Sequence, residues 1–436
     1  MQEPVDLIIS NAGELITCAG PVTGVAGAAL SDLPVIANGA VAIRDGKILA
    51  TGTTEQVLAQ YHPGQLVDAQ GALVSPALVD PHTHLVHMGS REAELDARAT
   101  GNSPGKGIST GGIRTTIQQT CAASDQELTQ RALGALDQML LNGTATVEAK
   151  TGYGADMSQE LRLLGLTRAL DKRHPVKVIP TFLGAHIPPA DEREAFVQSV
   201  IDALPAAAKL SEFCDIACDS VCFTFEESDR IAEVATRLGM RLRVHANQAS
   251  PWRGLELAAK WKAASADHGD YATPDELHAM ARAGVTLILL PGANFHMLEA
   301  TSGLEGDNIL PAPKPHLPQT AARLMQSDCV PSVGTNFNPG SSPCLSMQMM
   351  MQLLPRMFRI GFAASWYMAT LNAAASLGRA DRIGSLEPGK EANLVIWDVA
   401  RHGQVINQFG GNHVRDVWIG GRQVVARCNL VNHTAG

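Results

Sequence analysis

The chain has 436 residues, a formal net charge of −9 and a charged fraction of only 18%. That length accommodates one barrel of about 250 to 300 residues plus a smaller domain. With no basic stripe, nucleic acid is excluded as the expected partner and a small molecule is expected instead. No uninterrupted apolar run reaches membrane-spanning length, and residues 1–6 carry neither a basic n-region nor an apolar h-region. The eight cysteines are scattered, Cys214, Cys218 and Cys222 being the closest group, and read as free thiols of a reducing compartment. The expectation is a cytoplasmic protein without membrane contact.

The first 72 residues alternate short β-like runs, such as Asp6 to Ile9, Gly39 to Arg44 and Lys47 to Thr51, with turn signals such as Asp45-Gly46. From Leu73 to about residue 380 the pattern changes, and short apolar runs alternate with helix-like stretches. Eight strands are predicted there: Ala77 to Pro81, Thr144 to Ala149, Val176 to Phe182, Phe213 to Cys218, Arg241 to His245, Ala263 to His268, Val285 to Leu290 and Val330 to Thr335. Helices are predicted over Asp125 to Leu141, with Ser124 or Asp125 as cap, and over Glu226 to Leu238. Residues 381–436 return to β-like runs: Ala392 to Trp397, Val414 to Ile419, the hairpin signal Gly420-Gly421, then Arg422 to Ala426.

The fold class is therefore α/β, a (β/α)₈ TIM barrel over residues 73–380. The two chain ends, 1–72 and 381–436, build a small β-sandwich domain, since neither has strands enough to bury a face alone. A doubly wound open sheet is the alternative, but it would not need both ends for a separate β-domain.

In a (β/α)₈ barrel the active site lies at the strand C-termini. The first strand ends at His82-Thr83-His84, followed by Arg91. Residues i and i+2 of an extended segment point the same way, so these two imidazoles can converge on one ion. The later strand ends carry Lys150 to Gly154, His186, His245 with Asn247 and Gln248, His268, and Asn336 to Pro343. One buried histidine is usually a satisfied core group; five at successive strand ends point to chemistry. A metal on His82, His84 and His245 could bring a bound water from a pKa of about 15.7 towards about 7, which implies hydrolysis. His87, His296 and His316 read as packing or solvent residues, and Lys150 as an ion-pair partner rather than a carbamylated ligand. Met347 to Met351 reads as core packing, and the Pro-rich stretch Pro311 to Pro318 as a loop over the barrel mouth.

Several longer motifs sharpen this. They are His82-Thr83-His84-Leu85 with Gly89-Ser90-Arg91-Glu92, Glu148 to Gly154, Thr181 to His186, Ser265-Ala266-Asp267-His268, Leu289 to Gly292, Asn338-Pro339-Gly340-Ser341-Ser342 and Gly384 to Val395. Together, along nearly the whole chain, they resemble the amidohydrolase superfamily and, within it, the imidazolonepropionase family of histidine degradation. The resemblance implies hydrolytic opening of 4-imidazolone-5-propanoate to N-formimidoyl-L-glutamate with one divalent metal ion, zinc or iron, in a homodimer. It implies that Arg91 clamps the propionate through paired hydrogen bonds, that Tyr153 and His186 hold ring and propionate, and that Gln248 bonds the polar edge of the ring. Asn338, Gly340 and Ser341 complete the pocket, and His268 acts on the carbonyl or the proton.

Two positions depart from the family pattern. Asn336 stands where the family has an Asp that touches the metal and takes a proton. An amide oxygen can approach the metal, so Asn336 stays a candidate ligand and catalytic residue beside His268 and Gln248, but it accepts no proton; the lost base is commonly worth about 10²- to 10⁴-fold. Pro104 stands where some members place a substrate-facing Tyr. Two further readings follow: an amidohydrolase or aminohydrolase of another cyclic amide or heterocycle, motivated by Pro104, and a binding protein with impaired chemistry, motivated by Asn336.

Overall fold

The computed structural model describes residues 2–100, 112–189, 191–297 and 316–431. Pro104 lies outside these residues, as does most of the 311–318 stretch.

Eight parallel strands follow one another around the barrel in sequence order. They are β1 (Leu78–Thr83), β2 (Thr144–Lys150), β3 (Lys177–Ala185), β4 (Phe213–Cys218), β5 (Arg241–Ala246), β6 (Ser265–His268), β7 (Thr286–Leu289) and β8 (Pro331–Val333). The unbroken order, with no reversal point, rules out the doubly wound sheet. Most positions on these strands are buried, as strands covered on both faces require, which is why they read as continuous apolar runs. The seam between β1 and β8 closes at the mouth. Thr83 bridges Phe337 in parallel, the Asn336 N–H donates to the His82 carbonyl at 2.9 Å, and the His84 N–H donates to the Phe337 carbonyl at 2.9 Å.

The intervening helices start where their caps dictate. Ser124 and Glu127 form a capping box that opens the helix Asp125–Leu141, and Thr224 with Glu227 does the same for Phe225–Arg237. The helix Met347–Leu353 buries Met347, Met350 and Met351, so the methionine run is core packing.

The chain ends build one nine-stranded sheet. Strand Val74–Pro76 pairs antiparallel with Leu394–Trp397, with Ser75 opposite Val395, and so joins the N-terminal strands to the C-terminal ones. Both turn signals form tight hairpins with positive φ at both central residues, 52° and 72° at Asp45-Gly46 and 54° and 74° at Gly420-Gly421. Trp397 locks two neighbouring strands of this sheet, its Nε1–H donating to Ser75 Oγ at 2.8 Å, and packs edge-on against Trp366 with ring centres 5.5 Å apart. No helix among the described residues is long and apolar enough to cross a membrane.

Candidate active site

His82 and His84 on and just past β1 and His245 on β5 converge: one ring nitrogen from each lies within 4.8 Å of the others. Their orientation is imposed from below. His82 Nδ1–H donates to Asp267 Oδ2 at 2.6 Å, and His245 Nδ1–H donates to Asp215 Oδ1 at 3.0 Å. That fixes the tautomer and leaves both Nε2 atoms buried without a partner, the arrangement of a carboxylate–histidine–metal relay. Burial, reinforced by neighbouring positive charge, holds His82 and His84 well below the ordinary histidine pKa. They are neutral, which is the form that ligates a metal.

Beneath the histidines lies a buried ionic cluster. Lys150 Nζ stands 2.8 Å from Glu148, 3.2 Å from Asp215 and 3.6 Å from Asp267. Burial acts against the Lys150 charge, but the three carboxylates outweigh it and push its pKa up. Lys150 is therefore an ammonium in an ion-pair network. Burial likewise works against the charge of Asp215, and the attraction of His245 and Lys150 overcomes it, holding the carboxyl well below its usual range. Sequence reasoning gave Glu148, Asp215 and Asp267 no role. The available signal was an acid inside each of three predicted barrel strands.

Above the histidines a single cavity is lined by Arg91, Tyr153, His186, Gln248, His268 and Asn336, with the Asn338–Ser341 turn closing one side. All the substrate-side residues singled out from the sequence thus border the pocket on which His84 and His245 open. His268 ring packs 5.9 Å from His82 and 5.6 Å from His245. Arg91 is pre-oriented by Glu94, which accepts from its Nε at 2.9 Å and Nη2 at 2.7 Å. The guanidinium lies against Gly340, where a Cβ would come within 1.9 Å of Nη1. His186 stacks on His84 at 5.2 Å and donates from Nδ1 to the Gly152 carbonyl at 2.8 Å.

Asn338 acts within its own turn. Its Oδ1 accepts from the N–H groups of Gly340 at 2.9 Å and Ser341 at 2.8 Å, and its Nδ2 donates to the Asn336 carbonyl at 2.6 Å and to Asn336 Oδ1 at 3.2 Å. Asn336 itself is held at φ 52° by the seam bond to His82. Of the remaining histidines, His87 packs between Phe337 and Tyr153 and donates to the His84 carbonyl at 2.7 Å, and His316 stacks on Tyr271. The cysteines are all free thiols. A roomier cleft at the opposite end of the barrel, between Lys177, Met240 and Arg379, reaches none of these groups. Two ion pairs lie within it, Lys177 with Asp171 at 2.7 Å and Arg379 with Glu212.

Comparison with known proteins agrees with this geometry. Residues 73–424 match the Amidohydrolase family, and residues 39–62 match an imidazolonepropionase-like composite domain of bacteria. An imidazolonepropionase of Brevibacillus brevis is 38% identical over 97% of this chain and 98% of its own, and one of a Geobacillus species is 36% identical over 96% and 98%. Among solved structures, a zinc-bound adenosine deaminase from Xanthomonas campestris superposes with a TM-score of 0.72 at 20% identity, covering 99% of this chain and 96% of that one. A 5-methylcytosine deaminase from Klebsiella pneumoniae gives 0.70 at 18%, covering 98% and 99%. At those identities the two deaminases share the fold.

Proposed function

The chain belongs to the amidohydrolase family and, within it, to the imidazolonepropionases, and on that premise we propose that it hydrolyses the cyclic amide of 4-imidazolone-5-propanoate to N-formimidoyl-L-glutamate in histidine degradation. The observation that carries the reading is the shared cavity: the convergent histidines open on the pocket that holds Arg91, Tyr153 and His186. His82, His84 and His245 fit a divalent ion, because two buried Nε2 atoms have no protein partner and each is aimed by a carboxylate. When bound, such an ion supplies Lewis acidity, which for zinc brings the pKa of water down to about 7. Zinc or iron is our proposal for its identity.

The chain's own residues do the rest. Arg91 binds the propionate carboxylate, Tyr153 and His186 orient the ring, and Gln248 bonds its polar edge. Water oxygen joins the ring carbonyl carbon, the bond from that carbon to the ring nitrogen breaks, and the leaving nitrogen takes a proton. Asn336 carries no charge and accepts no proton, so His268, packed against His82 and His245, takes the proton from water and returns it to the nitrogen. A homodimer in the cytoplasm completes the reading; free thiols suit a reducing compartment, and sedimentation at equilibrium measures the subunit number.

Metal content and turnover of freshly made imidazolonepropionate, measured on one preparation of wild type and Asn336→Asp, test the proposal. Near-stoichiometric metal with wild-type turnover is expected. Turnover confined to Asn336→Asp would make the natural chain a binding protein, and turnover restricted to other cyclic amides would change the substrate.

A further inference from the structure

Glu160 is buried, 2% exposed, in the first turn of the helix Met157–Leu170. An acid in that place normally faces water and stabilises the positive end of the helix. This one turns back to the pocket. One carboxylate oxygen accepts from the Gly152 N–H at 2.9 Å and the other from the Gly154 N–H, so the two N–H groups on either side of Tyr153 are held by a single side chain. The Thr151 side chain bonds it as well.

The glycines allow this approach. A Cβ at Gly154 would come within 2.6 Å of the Glu160 backbone nitrogen, and one at Gly152 within 2.6 Å of His186 Nδ1. Gly152 also holds φ at +114°, a conformation that L side chains rarely adopt. With its N–H on Glu160, Gly152 turns its carbonyl to His186, whose Nδ1–H donates to it at 2.8 Å. Burying a carboxylate costs free energy unless its oxygens are bonded, and here the bonds go to the segment carrying two pocket residues.

We propose that Glu160 is a positioning residue for substrate: by bracketing Gly152 and Gly154 it fixes Tyr153 and, through the Gly152 carbonyl, sets His186 as the Nδ1–H tautomer, so that Nε2 meets the ligand as a hydrogen-bond acceptor. The inference deepens the hydrolase reading and rests on it for the identity of the ligand. It assigns specificity: His186 selects a ring that offers an N–H, as an imidazolone does, over one that offers only acceptors.

Glu160→Gln keeps the shape but sets an amide NH₂ against one of the two backbone donors. The expected result is a KM raised about tenfold, with kcat within about threefold of wild type and metal content unchanged. Combined with His186→Ala, Glu160→Gln should lose less kcat/KM than the sum of the two single changes, because both act through His186 and only the Tyr153 share of the Glu160 effect is left to add. An unchanged KM, or fully additive losses, would overturn the proposal. A second readout needs no substrate: ¹⁵N-histidine spectra of the ligand-free wild type should show His186 protonated on Nδ1, and an Nε2–H tautomer would sink the idea even if Glu160→Gln fails to fold. If imidazolonepropionate proves to be the wrong substrate while the Nδ1–H tautomer is seen, the hydrolase reading fails and the positioning role stands.

Discussion

His82 and His245 at the floor of the mouth sit on β-strands and are aimed by buried carboxylates, whereas the wall segments carrying Tyr153 and Ser341 are loops held by side chains bonded to their backbone. Asp215 and Asp267 bond His245 and His82 directly. Asn338 and Glu160 instead grip N–H groups of the loops that carry Ser341 and Tyr153. The difference follows from the tasks. Metal ligands must meet one point within fractions of an ångström, which strands with locked side chains provide. A wall that chooses among substrates can be rebuilt loop by loop on a fixed floor.

Substitutions on the two layers should separate them. The largest effect is expected from His245→Ala, which removes one of the three ligands proposed above: metal content measured by mass spectrometry should collapse, and turnover should fall about 10³-fold, equivalent to the several kcal/mol a metal supplies. Retention of a full metal complement would break the distinction at its base. Asp267→Asn leaves the three proposed ligands in place but weakens the aim of His82, and competition with a chelator should show metal affinity about 10- to 100-fold lower. Arg91→Lys touches only the wall. It keeps the charge and loses the fork, so steady-state kinetics should give a KM about tenfold higher with metal content untouched; a fall in kcat alone would place Arg91 in the chemistry instead.

Much of the floor was legible in the sequence. His82, His84 and His245 announce themselves as polar residues at the exits of apolar strands, and Ser124 with Glu127, or Asp45 with Gly46, carry local signals that need no tertiary context. The bracing was harder to read. Asp215 and Asp267 look like isolated acids until the neighbouring strands are in register, when His245 and Asp267 turn out to be paired positions on β5 and β6. Glu160 was invisible for another reason: an acid in a first helical turn satisfies a local rule, and nothing local reveals that its carboxylate points at a loop. Arg91 was found through its motif, but its fork with Glu94 depends on the short helix Glu92–Ala99 that follows it.

The ring of strands shuts between its first and last members, and Asp80 and Thr335, bonded across that gap, are 255 positions apart. Drawing such distant segments together carries the entropy of closing a very long loop, and contacts of this separation are slow to form. During synthesis from the N-terminus, the segment holding His82 and His84 emerges long before the one holding Asn336 and Phe337. The mouth therefore cannot be whole until most of the chain exists, and a nascent protein stopped short of residue 331 would carry every histidine of the floor without the neighbour that completes its circle.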